Sequence, residues 1–320
     1  MGMRYVSLHT HSTYSYMDGL GLPEEHVLRV KELGMTSLAL TEHGNVSSHV
    51  KLEIAAQKNG IKPIFGLEAY TAPHDMRETQ NQRKWHLTLL AATPLGYTNL
   101  MQLVTESWDE GFYRWPTVLS PSLRRHGRGI IALSGCADSH LACTLLGGKG
   151  IPEPTNAQER REYRQRAEAL LRTYQRLFPE GYFLECQRFP ALERSCILNK
   201  QYAVWSEQFG IPLVATSDVH YPRPEQNELQ KILHAAGRNT GTVAAAEAEW
   251  EYSILLTYPE SDREIQDDLV GTGLTPKLAW EAVENTARIA ERCNVTLPKM
   301  DRIRYPVSED DFDPVKAGFA

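Results

Sequence analysis

Residues 4–12 read RYVSLHTHS, an apolar run that ends in His9-Thr10-His11. Side chains two apart in an extended chain share a face, so both imidazoles can converge on one point at the strand's end. Asp18 follows in the loop YSYMDG. Six further short apolar runs repeat the pattern: SLALTE (37–42), PIFGLEAY (63–70), HLTLLAA (86–92), GIIALSG (129–135), YFLEC (182–186) and PLVATSD (212–218). Between most of them lie stretches of helical periodicity, namely 23–34, 49–60, 159–178 and 198–210, three of which end in Gly. Near-continuous apolar strands alternating with helices predict an α/β protein with a parallel sheet covered on both sides. Seven such runs favour barrel-like closure, which places the chemistry at the C-terminal ends of the strands.

Those ends are rich in metal-binding side chains. Beyond His9, His11 and Asp18 they deliver His43 in TEHG, Glu68 in GLEAY, Cys136 in LSGC, and the same-face pair Asp218 and His220 in SDVHY. His86 begins its run, so it reaches the same mouth only if that run is antiparallel or bends toward it. Gathering this many titratable groups in one place without an ion would be costly in desolvation. Nine ligands exceed the needs of one ion and suit three that share a carboxylate. Three divalent ions carry six positive charges, and Asp18, Glu68, Asp218 and a Cys136 thiolate return four negative ones. The surplus suits a phosphate group. Imidazole and thiolate favour zinc, with manganese or iron as alternatives, and exclude an all-oxygen magnesium or calcium cage.

Composition narrows the partners. The chain has 320 residues, 42% hydrophobic and 23% charged, with a formal net charge of −6. That balance argues against broad charge-driven binding of nucleic acid, so a phosphate-bearing substrate must be attracted locally. Five cysteines with no C-x-x-C pair argue against a disulfide framework or a zinc ribbon. The apolar runs are too short to span a bilayer and the N-terminus resembles neither a signal peptide nor a myristoylation site, so a cytoplasmic protein with no membrane partner is expected. Arg124, Arg125 and Arg128 form a basic loop that could contact a phosphate backbone, and Tyr14 could stack on a base. Glu185 and Glu42 are expected to support ligating histidines rather than bind metal. The histidines at 26, 49, 74, 126, 140 and 234 are read as structural.

The motifs HTHS with a downstream Asp, TEHG, GLE, WHLTLLA, LSGC and DVHY together resemble the PHP (polymerase and histidinol phosphatase) domain. GYTNLMQLV, EGFYRWP, GIPLVATSDVHY and ENTARIAERCNV are similar to the version that opens bacterial DNA polymerase III alpha subunits, so the resemblance covers nearly the whole chain. It implies a distorted (βα)7 TIM-like barrel over residues 1–225, with 226–320 as a C-terminal helical extension and linker of the same region. It further implies one metal on His9, His11, Glu68 and Asp218, a second on Glu68, His86 and Cys136, and a third on Asp18, His43 and His220. Glu42 departs from the Asp common at that position.

By this resemblance the function is that of a metal-dependent phosphodiesterase, a 3′→5′ exonuclease acting on DNA in proofreading or end trimming. The catalytic group would be a metal-activated water held by His9, His11, Glu68 and Asp218. The expected partners are a DNA 3′ end, single-stranded or in a primer–template, and a DNA polymerase or other replisome component. The chain stops about where a polymerase palm would begin, so it is expected to be an excised domain or a stand-alone protein. The alternatives are a non-catalytic module of such a polymerase, docking through the acidic tail 295–320, and a phosphomonoesterase of the histidinol-phosphatase type.

Overall fold

The computed structural model describes residues 2–72, 85–237, 242–247 and 252–299. His74 and almost all of the acidic tail lie outside them. The chain forms α1 (Pro23–Glu32), β1 (Ser37–Leu40), α2 (His49–Asn59), β2 (Lys62–Ala72), β3 (Trp85–Ala91), α3 (Pro94–Asp109), β4 (Thr117–Leu119), α4 (Ser120–His126), β5 (Ile130–Leu133), α5 (His140–Leu146), α6 (Ala157–Leu177), β6 (Tyr182–Gln187), α7 (Glu193–Phe209) and β7 (Leu213–Thr216). The helices α8 (Asn227–Gly237), α9 (Val243–Glu247), α10 (Asp262–Gly271) and α11 (Pro276–Arg292) follow. The glycines expected to stop helices do so with positive φ, at Gly34 (77°), Gly60 (69°) and Gly210 (65°).

The sheet runs β1-β2-β3-β5-β6-β7, with short β4 also paired to β2. Residues 7–11 close it into a barrel. Ser7 bridges Leu38 and Thr10 bridges Val219, both in parallel, so this segment lies between the first strand and the last. His11 N–H donates to Val219 O at 2.7 Å and Ala39 N–H to Ser7 O at 2.9 Å. The expected first strand, 4–9, makes only these isolated bridges because side chains take its earlier amides. The Asp262 carboxylate accepts from Arg4 N and Tyr5 N at 2.7–3.0 Å, and Thr286 Oγ1 accepts from Val6 N at 2.9 Å. The architecture is a distorted, TIM-like barrel.

One strand runs against the rest. β3 pairs antiparallel with both β2 and β5, which brings the start of its run, and His86, to the same end as the other strands' C-termini.

Two apolar layers build the barrel. One fills the space between sheet and helices and takes in Leu38, Phe65, Leu89, Ala132, Leu213 and Ala215. The alternate residues Ala39, Ile64, Leu90, Ile131, Val214, with Val6, Leu8 and Phe183, form a second, inner cluster. Ile289 and Ala290 of the last helix, with Cys293 just after it, complete that cluster and plug the barrel's lower end. Tyr258, Ile265, Leu269, Ala282 and Val283 belong to the outer cluster, so residues after 225 share the barrel's core.

His49, buried at the start of α2, donates from Nε2 to Gly66 O on β2 at 2.9 Å. Burial pushes its pKa down to about 4. Between about pH 4 and 6.5 the unfolded chain therefore takes up a proton that the folded chain refuses, so stability falls as the pH drops through that window. The contribution is roughly 3 kcal/mol when complete. Urea unfolding at pH 7.5 and 4.5 should show the loss, and His49→Gln, which keeps a donor but cannot titrate, should narrow the difference between the two pH values.

Candidate metal centre

Inward-facing positions change character along each strand. From bottom to mouth they read Ile64, Gly66, Glu68 on β2, Phe183, Glu185, Gln187 on β6, and Val214, Thr216 and then Asp218 on and just after β7. On antiparallel β3 the same order runs backwards through the sequence: Leu90, Thr88, His86. An apolar floor thus gives way to a hydrogen-bonding layer and then to a ring of metal-binding side chains.

Glu68 lies at the centre of that ring, 1% exposed. Its Oε1 is 3.2 Å from His9 Nε2 and 3.1 Å from His86 Nδ1, and its Oε2 is 2.7 Å from His43 Nδ1 and 3.4 Å from His11 Nε2. Asp218 Oδ1 stands 3.3 Å from His9 Nε2 and 3.6 Å from His11 Nε2. Asp18 Oδ2 is 2.8 Å from His43 Nε2 and 3.4 Å from His220 Nε2. Cys136 Sγ is 3.3 Å from His86 Nδ1. The structure thus brings all nine sequence-predicted side chains to one mouth. Donor atoms of His9, His11 and Asp218 lie within 4.8 Å of one another, as do those of His43, Glu68 and His86 and those of His11, His43 and His220.

The hydrogen bonds around the ring fix which imidazole nitrogens carry protons. His9 donates from Nδ1 to Glu185 Oε1 at 2.6 Å, and His220 from Nδ1 to Asp218 O at 2.8 Å. Ser15 Oγ gives its proton to Glu42, so it accepts from His11 Nδ1 at 2.8 Å. When these three rings are neutral, as metal ligands must be, their Nε2 atoms are lone pairs aimed at carboxylate oxygens. His9 Nε2, His11 Nε2, His43 Nδ1, both oxygens of Glu68 and Asp218 Oδ1 are buried and make no hydrogen bond. Lone pairs facing one another at 3.2–3.6 Å repel unless a cation lies between them. Ligands about 2.0–2.1 Å from a tetrahedral ion sit roughly 3.3 Å apart. The donor set fits divalent metal ions.

Charge in the ring follows the same logic. Burial disfavours a charged Glu68, but His86, His9 and His43 hold its carboxyl well below the usual range. Burial works against Asp18 in the same way, yet His220, His234 and His43 keep it well below. Against burial, Asp218, Glu185 and Glu68 hold His9 well above its ordinary value. Burial, with His43 and His220 close by, pushes His11 down to about 3, the neutral form a metal needs. Burial and the charges of Glu68 and Asp218 push the Cys136 thiol well up, which a bound cation would reverse.

The supporting residues are well satisfied. Glu185 accepts from His9, Thr216, Thr88 and Gly135 N at 2.6–3.1 Å. Glu42 accepts from Ser12 and Ser15. Asp218 takes a left-handed backbone (φ 44°), uncommon outside glycine, and Gln187 Nε2 donates to its Oδ2 at 2.9 Å. Gln187, Ser15 and Thr88 were silent in the sequence, because hydroxyls and amides acquire these roles only through contacts across strands.

Other expected residues stand elsewhere. Arg124 and Arg125 lie on α4 and Arg128 just after it, before β5, whereas Cys136 follows that strand. The Arg125 guanidinium pairs with Glu106 at 2.7 Å. The structure does not bring these arginines to the mouth. Tyr14 lines a groove with Leu22, Pro23, Lys51 and Ile54 on the α1–α2 side. His26, His49, His126 and His140 make the structural contacts expected of them, with Tyr258, Gly66, Glu106 and Tyr174. His234 departs from its structural reading: its Nε2 lies 2.6 Å from Asp18 Oδ1. Helical periodicity alone could not show which loop α8 would face.

Residues 7–189 match the model of the PHP domain, more than half of the chain. The chain belongs to the PHP domain family. Of the residues at the mouth of this PHP domain, Asp218, His220 and His234 lie beyond the matched stretch. DNA polymerase III subunit alpha of Helicobacter pylori strain J99 is 30% identical over 318 residues, covering 98% of this chain and 25% of that protein. The Treponema pallidum protein of the same name is 33% identical over 302 residues, covering 93% and 24%. The chain thus spans about a quarter of the length of the curated relatives it matches. An amidohydrolase structure from Chromobacterium violaceum is 16% identical and covers 68% of this chain and 88% of that one, with a TM-score of 0.39. No helix among the described residues is long and apolar enough to cross a membrane.

Replacing Glu185 with Gln leaves one acceptor oxygen where two served four donors, and removes the negative charge that holds the His9 Nδ1 proton, so the ring is less firmly oriented. Metal affinity should fall about 10–100-fold, read as reduced metal content by elemental analysis after dialysis against a weak chelator.

Proposed function

We propose that this chain is a metal-dependent phosphoesterase, most specifically a 3′→5′ exonuclease acting on DNA during replication. The observation that carries the reading is the buried Glu68 carboxylate, which faces four imidazoles and makes no hydrogen bond with either oxygen. In this reading three divalent ions, zinc first, are held by His9, His11, Glu68 and Asp218, by Glu68, His86 and Cys136, and by Asp18, His43 and His220. His43 reaches Glu68 as well as Asp18, so one imidazole could link two of these groups. Bound ions would supply Lewis acidity toward a phosphoryl oxygen and a nucleophilic water near neutral pH.

The chain's own residues prepare that chemistry. Glu185, Ser15 and the Asp218 carbonyl oxygen fix the imidazole tautomers so that lone pairs aim inward. Gln187 holds Asp218 in place. Asp18 and His86 keep 29% and 18% of their side chains exposed, leaving the mouth open where a strand end would enter. A protein of net charge −6 then attracts a phosphodiester only at the mouth. The DNA 3′ end as substrate, a polymerase or other replisome component as partner, and a cytoplasmic setting are part of this proposal and draw support from the polymerase III relatives. The division into a barrel (1–225) and a C-terminal helical extension and linker (226–320) is also part of this proposal; among the described residues, Tyr258, Ile265 and Val283 of the extension share the barrel's core.

The test joins two readouts on one preparation: bound metal by elemental analysis, and incubation with a 5′-labelled primer–template bearing a 3′ mismatch. The expected result is three equivalents of metal and a ladder shortening from the 3′ end that a chelator abolishes. Asp218→Ala should lower the rate at least about 100-fold and reduce bound metal. Full nuclease activity and full metal content in that variant would overturn the mechanism. A metal-loaded protein that leaves the primer intact would point to the scaffold role instead, and phosphate release from monoesters alone to a phosphatase.

A further inference from the structure

Asp18 is a carboxylate of the ring that depends on a residue outside it, far along the chain. Its Oδ2 faces His43 and His220, while its Oδ1 lies 2.6 Å from His234 Nε2. A nitrogen that close to a carboxylate oxygen carries the proton, so His234 donates from Nε2, while its Nδ1 shares a hydrogen bond with the Tyr252 hydroxyl at 2.7 Å. Both His234 (2% exposed) and Tyr252 (6%) are buried. Tyr252 is itself anchored, since Asn227 Nδ2 donates to its carbonyl oxygen at 2.8 Å.

The same face of α8 meets the loop at three points. Residues 230, 234 and 237 are spaced to share one side of a helix. Gln230 Nε2 donates to the Asp18 carbonyl oxygen at 3.3 Å. At Gly237 a Cβ would lie 2.6 Å from Met17 Cβ, so the helix backbone rests against the loop. Met17 itself has a left-handed backbone (φ 61°), held between this helix and the turn that begins at Ser15.

We propose that His234 is a positioning residue for metal binding: by occupying Asp18 Oδ1 it presents Oδ2 alone to the ion shared with His43 and His220. The proposal rests on the reading of the mouth as a metal centre. It makes one ion of the cluster depend on α8 and Tyr252, beyond the stretch that the family model matches. His234 touches no ion itself and acts through Asp18.

The experiment uses the full chain, stripped of metal and titrated with zinc against a competing chromophoric chelator, for wild type, His234→Ala, His234→Gln and Tyr252→Phe. In His234→Ala, one equivalent should bind 10–100-fold more weakly while the remaining equivalents keep wild-type affinity. His234→Gln keeps an N–H donor and should recover most of that loss, and Tyr252→Phe should lose less than the alanine variant. Should His234→Ala fail to fold, as judged by its thermal transition, the Gln and Phe variants carry the test. Wild-type affinity for every ion in His234→Ala, or a glutamine variant no better than alanine, overturns the proposal while the metal centre stands. A wild-type chain that takes up no zinc overturns both.

Discussion

A carboxylate buried among imidazoles, with neither oxygen hydrogen-bonded, is an unstable arrangement by itself, and the rest of this molecule is organised around one. Glu68 sits between His9, His11, His43 and His86 at 2.7–3.4 Å. The Glu185, Ser15 and Asp218 contacts turn the N–H groups of His9, His11 and His220 outward, away from the ring's centre. What converges is an array of lone pairs and negative charge. Protons can relieve it in part, which is why His9 and His43 hold theirs so firmly, and divalent cations relieve it far better.

The barrel makes this convergence cheap in backbone terms. Alternation along a strand gives every second residue to the interior, so one pleat supplies floor, support and ligand in succession, as in Val214, Thr216 and Asp218. The middle layer matters as much as the top one. Thr88 on β3, Thr216 on β7 and the Gly135 amide just after β5 all donate to Glu185, locking the carboxylate that in turn orients His9. The exception to regularity is Asp218, whose left-handed backbone turns the chain off the end of β7. Such a conformation costs roughly 1 kcal/mol and persists at sites where the side chain's direction matters.

Much of this was legible in the residues. Strand and helix runs, the glycine stops and the metal-binding strand ends are all local patterns, and the structure gathers His9, His11, Asp18, His43, Glu68, His86, Cys136, Asp218 and His220 at one end of the barrel. His86 marks the edge of legibility. Its place at the start of a run signals an antiparallel strand, but only the pairing of β3 with β2 and β5 decides it. Beyond that edge lie features set by tertiary contact: the amides of residues 4–6 captured by Asp262 and Thr286 instead of a neighbouring strand, the arginines of 124–128 on the far side of β5, and His234 reaching back to Asp18. No window of sequence contains both partners of those contacts.

The stitching of the first strand has a consequence for the order of events in the cell. Its amides wait for Asp262 and Thr286, its imidazole His9 waits for Glu185, and the floor beneath it waits for Ile289. During synthesis His9 and His11 cannot be enclosed until some 280 further residues have followed. A metal site built on His9 and His11 would then be completed only when these two distant stretches come together.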